Sequence, residues 1–421
     1  MKQNLFSKQR KRTPAFILYT LSFGVFAVIS SLLGIMGLVP LIAQKFNISS
    51  AQASSIVSIF ALIVTIAAPI MPLLCARIKP RVLFIFALSV FSITSFFSIF
   101  TNDFGTLFVL RIVPAVFHPI FIANALSVAG DLSVDKTKSA KFVSLVFLGI
   151  SAGMVLGVSL ATFLGAQYGF EVAMGFFFVL NLIALVNVLF FVPDLQLHIQ
   201  AESAPVKENY FNLLKVQLSI FKSPVSWTSL IGTVCLMAAM YGFYNFLSTF
   251  LHESAGLTFS IISFLLFVYG GANIIGNFLA GRLLSKNAYL VIMLVPLLMM
   301  MAFAGIFIFE LHMVLMGALL FILGILAGIT HNSAQFMLSV PFPQAKILAN
   351  GLYVSSSNLG ISLGVALCGI VIVFIDTALK AHVASVSALF NNAVESICFV
   401  SIFLLVCAIV SIYMREKFLL H

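Results

Sequence analysis

The chain is poor in charge. Of its 421 residues only 8% are Asp, Glu, Lys or Arg, and only 12 are acidic. A soluble globular protein carries roughly 25% charged residues, so a fold whose surface must face water is excluded. The five cysteines (Cys75, Cys235, Cys368, Cys398, Cys407) lie in or at the ends of apolar runs without a C-x-x-C pair. They read as buried thiols, not as a disulfide framework or zinc site. No H-E-x-x-H, P-loop or His/Cys cluster is present, which leaves no motif for a metal or a nucleotide cofactor. Gly149-Ile-Ser151-Ala-Gly153 spells the hydrolase elbow G-x-S-x-G. That elbow needs a strand-to-helix turn, and this copy lies inside an apolar run. No enzyme chemistry, and no cofactor, is expected.

What is present is hydrophobic surface, at 62% of residues with a mean hydropathy of +1.18. It is arranged in twelve runs at about 15–43, 52–75, 82–101, 105–128, 142–165, 171–192, 226–251, 258–281, 287–309, 312–338, 348–374 and 392–414. Each reaches about 20 residues, enough to cross a hydrocarbon core of about 30 Å as a helix. The runs are continuously apolar without a period of two, which favours helices over a barrel. All 22 Lys and Arg except Lys45, Lys380 and Arg111 fall in the tails or in every second gap. That alternation is the positive-inside pattern. It predicts an inner (cytoplasmic) membrane protein with both termini in the cytoplasm, the basic N-tail being retained as the flank of the first span. The net charge of +10 is spread over loops beside apolar spans. It therefore suits lipid headgroups and not nucleic acid.

The longest gap, 194–224, divides the runs into two sets of six, giving expected domains 1–193 and 225–421 joined by a cytoplasmic loop. The sets look like copies. Arg77, Lys79 and Arg81 follow the second run, and Arg282 and Lys286 follow the eighth. These basic turns are expected to brace the two sets on the inner side. Small residues recur every fourth position in the fifth run (Gly149, Gly153, Gly157, Ala161, Gly165, Gly169). Ser356, Gly360 and Gly364 do the same in the eleventh. Spacing by four places them on one helix face, where a neighbouring backbone can approach closely. Paired six-span repeats are an architecture of secondary transporters, with the substrate site between the repeats near mid-membrane.

Several short stretches carry a family likeness: Gly37-Leu-Val-Pro40, Ala68-Pro69 through Arg77, Arg81 and Leu83, and Arg111-Ile-Val-Pro-Ala-Val-Phe-His118. To these add Val155-Leu-Gly157-Val-Ser159, Gly276-Asn-Phe-Leu-Ala-Gly-Arg282 and Asn358-Leu-Gly360 with Gly364. In this order the chain resembles the major facilitator superfamily, within it the twelve-span drug and sugar efflux group of arabinose-efflux-like and purine-nucleoside-efflux permeases. The resemblance implies an all-α membrane protein of two pseudo-twofold-related six-helix bundles working by alternating access. It also implies proton-coupled efflux of a small amphipathic compound such as a drug, sugar or nucleoside. Structural motif residues are then Arg77, Arg81, Gly153, Gly157, Arg282, Asn358, Gly360 and Gly364. Where many members carry a glutamate in span 1, this chain has Leu32.

An ionisable residue inside a span is a functional candidate by default. Arg111 and His118, seven apart on the fourth span, are the proton-coupling candidates; histidine titrates near neutrality. The alternatives for them are a gating cation and a core histidine bonded to a carbonyl. The resemblance has spans 1, 4, 7 and 10 line the cavity, making Ser30, Ser31, Tyr241, Tyr244, Asn245, His331 and Gln335 candidate wall groups. Helix-to-helix hydrogen bonds are the competing use for each, as for Asn181, Asn273 and Asn277. A monomer with lipid, a small-molecule substrate and protons as partners is expected. The rival readings are an uncoupled facilitator of the same fold and a non-transporting membrane sensor or scaffold.

Overall fold

The computed structural model describes residues 14–75, 78–132, 142, 145–146, 148–194, 219–309, 312–339 and 346–420. Arg77 and nearly all of the expected central loop lie outside them. The described chain is helical throughout. The first six-helix set is α1 (Pro14–Phe46), α2 (Ser50–Leu74), α3 (Pro80–Ile99), α4 (Phe104–Asp131), α5 (Leu148–Tyr168) and α6 (Phe170–Phe191). The second begins with α7 (Pro224–Glu253), followed by a 50-residue helical run, Phe259–Ile308. A straight helix of that length would measure about 75 Å, far more than a bilayer. Asn287, at φ −154° and ψ 87°, interrupts it, separating α8 (259–286) from α9 (288–308). Its side chain caps the new helix by accepting the Leu290 N–H at 3.1 Å. Then come α10 (Met313–Ser339), α11 (Lys346–Lys380) and α12 (Ser396–Leu420).

Local chemistry sets the ends. Pro80 and Pro224 stand in the first turns of α3 and α7, where a missing N–H costs nothing. Asp103 caps α4 by accepting the Thr106 N–H at 2.8 Å. Gly169, expected at the end of the small-residue stripe, is instead the one-residue hinge between α5 and α6. Its φ of +95° is a conformation that side chains disfavour. α5 holds a π-helical turn at Gly153–Gly157, which overlaps the start of the motif Val155–Ser159.

The stripes work as the spacing implies. A methyl group on Gly153 would come 2.8 Å from Ile29 Cβ of α1, and one on Gly157 would overlap Ser30. In the second set a methyl on Gly360 would lie 2.6 Å from both Met237 Cβ and Val234 O of α7, and Gly364 abuts the Ala238 carbonyl. The pair α1–α5 is thus repeated as α7–α11. α8 and α10 approach likewise through Gly276, Gly324 and Gly328. α1 and α7 are central, with α7 buried on every face from Leu236 to Leu251. The periphery is apolar and exposed, as at Phe278 (77%) and Val314 (89%), which is the surface lipid covers.

Hydrogen bonds join the two sets mainly in the half of the bundle remote from the termini. Ser248 Oγ donates to Gly37 O at 3.1 Å, Asn245 Nδ2 to Ser54 Oγ at 2.8 Å, and Gln167 Nε2 to Ser260 Oγ at 2.8 Å. Deeper, Ser58 Oγ donates to Ser362 O at 2.8 Å, tying α2 to α11. These bonds tie the two sets together on this loop side.

Gly153→Ala and Gly360→Ala should each lower stability by about 1–3 kcal/mol, the usual cost of overpacking. Gly175, with nothing within 4 Å of an added methyl, should accept Ala with a gain of up to about 1 kcal/mol. Thermal unfolding in detergent micelles checks the contrast.

Candidate functional site

At mid-depth, where α5 of the first set meets α7 and α8 of the second, a small cavity is lined by Met154, Met240, Tyr241, Tyr244, Tyr269 and Asn273. Tyr244 and Tyr269 stack with ring centroids 4.9 Å apart. Gly270 presses on Val155 with room for no more than a hydrogen: a methyl there would be 2.9 Å from Val155 Cα. Tyr241 continues away from the cavity into a hydrogen-bonded chain. Its hydroxyl lies 3.1 Å from His331 Nε2 on α10, and His331 Nδ1 lies 3.2 Å from the Tyr353 hydroxyl on α11. Asn273 accepts from Asn277 Nδ2 at 3.0 Å, and Asn277 accepts from Asn332 Nδ2 of α10 at 2.7 Å. The Asn273 Nδ2 is buried and has no acceptor among the described residues. The cavity holds about 10 Å³ in this state, room for about one water; its aromatic faces, two thioethers and few polar groups would line a site for a flat, amphipathic molecule once the two sets part.

Arg111 is 4% exposed. Its guanidinium donates to Met174 Sδ at 2.7 Å and reaches Ser31 O at 3.5 Å, and it lies 5.3 Å from the Phe177 ring centroid. Among the described residues no carboxylate pairs with it. Sulfur, a carbonyl and a π face hold the charge, a set a guanidinium can use where an ammonium could not. His118 is 8% exposed, with Phe60 edge-on at 5.9 Å, and neither ring nitrogen has a partner among the described residues.

The other wall candidates divide. Tyr241, Tyr244 and His331 meet at the cluster, and Gln335 is half-buried one turn further along α10. Ser30 bonds back to Phe26 O and faces Gly157. Ser31 accepts from Asn181 Nδ2 of α6 at 2.7 Å. Asn245 seals α7 to α2. These three sit at helix contacts. Asn358 bonds within its own helix, to Val354 O at 2.9 Å. Tyr269, Tyr353 and Met154 were not singled out in the sequence; no local motif marks them, and only the meeting of α5, α7, α8 and α11 does.

The basic turns act locally. Lys79 Nζ lies 3.2 Å and Arg81 3.4 Å from the Asp194 carboxylate, and Arg81 also donates to Leu189 O at 2.9 Å. These partners belong to the end of α6, so at Lys79 and Arg81 the expected brace between sets is a clamp within one set. Arg282 is exposed. On the loop side, a cleft of about 360 Å³ opens between Gln44 and Ser50 of one set and Glu253, Asp376 and Asn392 of the other. It is larger than the mid-depth cavity but lies at the mouth.

Lys79, by hydrogen bond and then by charge, and next Arg81 hold the Asp194 carboxyl below its usual value. A depressed carboxylate adds stability that is complete above the unfolded value of about 3.9 and fades as pH falls through the folded one. Asp194→Asn should therefore lower the melting temperature slightly at pH 6, with the deficit beginning to shrink below about pH 3.9 and gone only once the folded carboxylate is protonated; melting curves of both proteins across pH test this.

The family model of the Major Facilitator Superfamily matches residues 15–365. The uncharacterised MFS-type transporter YtbD of Bacillus subtilis (strain 168) is 25% identical over 378 residues, spanning 87% of this chain and 90% of its own. The inner membrane transport protein YdhP of Escherichia coli (strain K12) is 27% identical over 270 residues, 64% of this chain and 66% of its own. Among solved structures, the nucleoside transporter NupG superposes with a TM-score of 0.73 at 15% identity, covering 97% of this chain and 99% of that one. A bacterial homolog of the human lysosomal transporter Spinster, inward-facing and unoccupied, gives 0.71 at 16% identity with 97% of each covered.

Proposed function

The chain belongs to the major facilitator superfamily and is a multi-pass membrane transporter of that fold; from this premise we propose that it exports a small amphipathic compound in exchange for protons, by alternating access. The observation that carries the reading is the mid-depth cluster Tyr241–His331–Tyr353 with Tyr244 and Tyr269. All five residues belong to the second set, and the first set meets them through Met154 and through Val155 against Gly270, with the cross-set bonds above on the loop side. For the substrate to leave on that side, the bonds at Gly37–Ser248, Ser54–Asn245 and Gln167–Ser260 must break while the tail side closes. The side-chain-poor faces of α5 and α11 suit such rocking.

The sequence has no P-loop, so uphill export draws on an ion gradient. For proton coupling on α4, His118 is the proposed proton carrier and Arg111, which keeps its own proton, the fixed charge on the same helix. Both are buried, and His118 has a free lone pair among the described residues. The efflux direction rests on the likeness to the efflux group, and the amphipathic substrate on the aromatic lining. NupG's name adds a nucleoside to the compounds worth trying. One observation favours the uncoupled facilitator: the buried cation lacks a carboxylate partner among the described residues, and Leu32 stands where a span-1 glutamate would be.

Flux of a compound panel into proteoliposomes with and without an imposed pH gradient decides between them. Export predicts substrate movement opposite to the proton gradient, reduced about tenfold or more in Tyr244→Ala, the size of loss that about 1.4 kcal/mol of binding would give. His118→Ala should lose the gradient's stimulation while keeping substrate exchange. Flux indifferent to the gradient supports the facilitator, and no flux for any compound removes the transport proposal.

A further inference from the structure

We propose that the loop-side cleft and the groove beside it form one binding site for a single-chain amphiphile with an ammonium head. The head sits at Glu253 and the alkyl chain lies between α2 and α11. This site is apart from the mid-depth cluster, and it stands whether or not the protein moves protons.

Two cavities adjoin at the seam. The first is the cleft of about 360 Å³ at the loop-side ends of α1, α7 and α11. The second, of about 460 Å³, runs between α2 and α11 from Ser49 and Val373 to Ser58 and Val365, with Phe104 of α4 at its side. Ser49, Ala51 and Val373 border both, so one continues into the other. Each has the volume of a small-molecule site. From Ser49 to Ser58 the groove follows nine residues of chain, or about 14 Å of helix, the reach of an alkyl chain. Ile370 and Val373, 65% and 49% exposed, stand at its edge. It therefore opens sideways, toward the lipid that covers the periphery.

The two parts differ in chemistry. The hydroxyls along the groove are already bonded. Ser49 Oγ accepts the Gln52 N–H at 3.1 Å, and Gln52 Oε1 accepts the Ser49 N–H at 3.3 Å, a capping box. Ser55 Oγ donates to Gln52 O at 2.6 Å and Ser58 Oγ to Ser362 O at 2.8 Å. Val365, Ala366, Gly369, Ile370 and the Phe104 ring then ask only for apolar contact. The cleft, by contrast, is anionic. Glu253 ends α7, and its carboxylate accepts from Ser50 of the first set and Asn392 of the second. Among the described residues no lysine or arginine pairs with it. Asp376, the other acid at the cleft, is matched by Lys380 at 2.7 Å. His252 is turned onto its own loop, with Nδ1 3.2 Å from Leu257 O and its ring stacked on Phe259. A carboxylate has about four acceptor positions, so Glu253 keeps room for a ligand's N–H groups. A primary ammonium brings three donors and the complementary charge. A bilayer phospholipid would instead set its phosphate against the Glu253 charge.

Fluorescence quenching by a brominated chain tests the site. Trp227, at the tail-side start of α7, is the single tryptophan. In a Trp227→Phe background, Phe104→Trp puts a reporter on the groove wall. Phe278→Trp, at a position 77% exposed, reports chains dissolved in the bilayer. The full-length protein is held in phosphatidylcholine nanodiscs at about pH 8, where an alkylammonium keeps its proton. It is given a dibrominated long-chain primary amine, or the alcohol of the same chain. The Phe104 reporter should be quenched saturably, and the Phe278 reporter only in proportion to the amine in the bilayer. The amine should half-saturate at a concentration about threefold to fivefold below the alcohol, the ratio a partly screened charge contact supplies. Glu253→Gln should erase that preference, and Ala366→Leu, which fills the groove, should erase saturable quenching by either compound. Thermal unfolding confirms that each variant is folded. In the wild type, free of reporters, the amine should raise the melting temperature more than the alcohol does. Equal quenching at the two reporters overturns the site. So does an amine no better than the alcohol, a preference that survives Glu253→Gln, or dibrominated phosphatidylcholine that fills the groove as readily as the amine. None of these readouts uses flux. Transport without groove binding sinks this site alone, and groove binding without flux of any compound sinks the transport reading alone.

Discussion

The structure depends on backbones meeting without side chains between them. In a bilayer the hydrophobic effect does not hold helices together, because lipid is as apolar as leucine. Association then falls to close packing and to interhelical hydrogen bonds of about 0.6–2 kcal/mol each. Here Gly153 and Gly157 let α5 lie on α1, and Gly360 and Gly364 let α11 lie on α7. The same contact made twice creates two rigid sets, and rigid sets can move against each other only along the seam between them.

That seam is where polar chemistry is concentrated. Ser54, Ser58, Asn245, Ser248 and Ser362 stitch it on the loop side. Tyr241, Tyr244 and Tyr269 line it at mid-depth. Small polar side chains suit a joint that must open, since each bond is weak and can be exchanged for water. By contrast, Arg111, held by Met174, Phe177 and Ser31, lies within the first set, joining α4 to α1 and α6. A permanent cation held by sulfur, a carbonyl and a ring needs those partners to stay in place, which a body that does not come apart provides.

Much of this was legible in the sequence. Run length and the placement of Lys and Arg marked the spans, and spacing by four marked the close-packing faces of α5 and α11, because both patterns are local; their partners α1 and α7 were not legible. The break between α8 and α9 was legible as a polar gap, though not its brevity: helical geometry continues through the basic turn to a single capping residue, Asn287. Which face of a span looks inward was not legible. Ser30 and Ser31 have the composition of cavity residues but serve helix contacts, since a serine bonded to its own helix looks the same in sequence wherever it points. Tyr353 and Tyr269 carry no motif and gain meaning only from helices far away in the chain. The Lys79–Arg81 turn was legible as basic; its partner Asp194 depends on where α6 ends.

The central claim, that the two sets seal on one side while opening on the other, is tested most directly by paired distance measurements. Spin labels at Asn47 and Leu389 span the seam on the loop side, and labels at Ile78 and Lys286 span it on the tail side. The account predicts two populations, in which a longer loop-side distance always accompanies a shorter tail-side distance. A single unchanged distance for both pairs, or two distances that lengthen together, would contradict it.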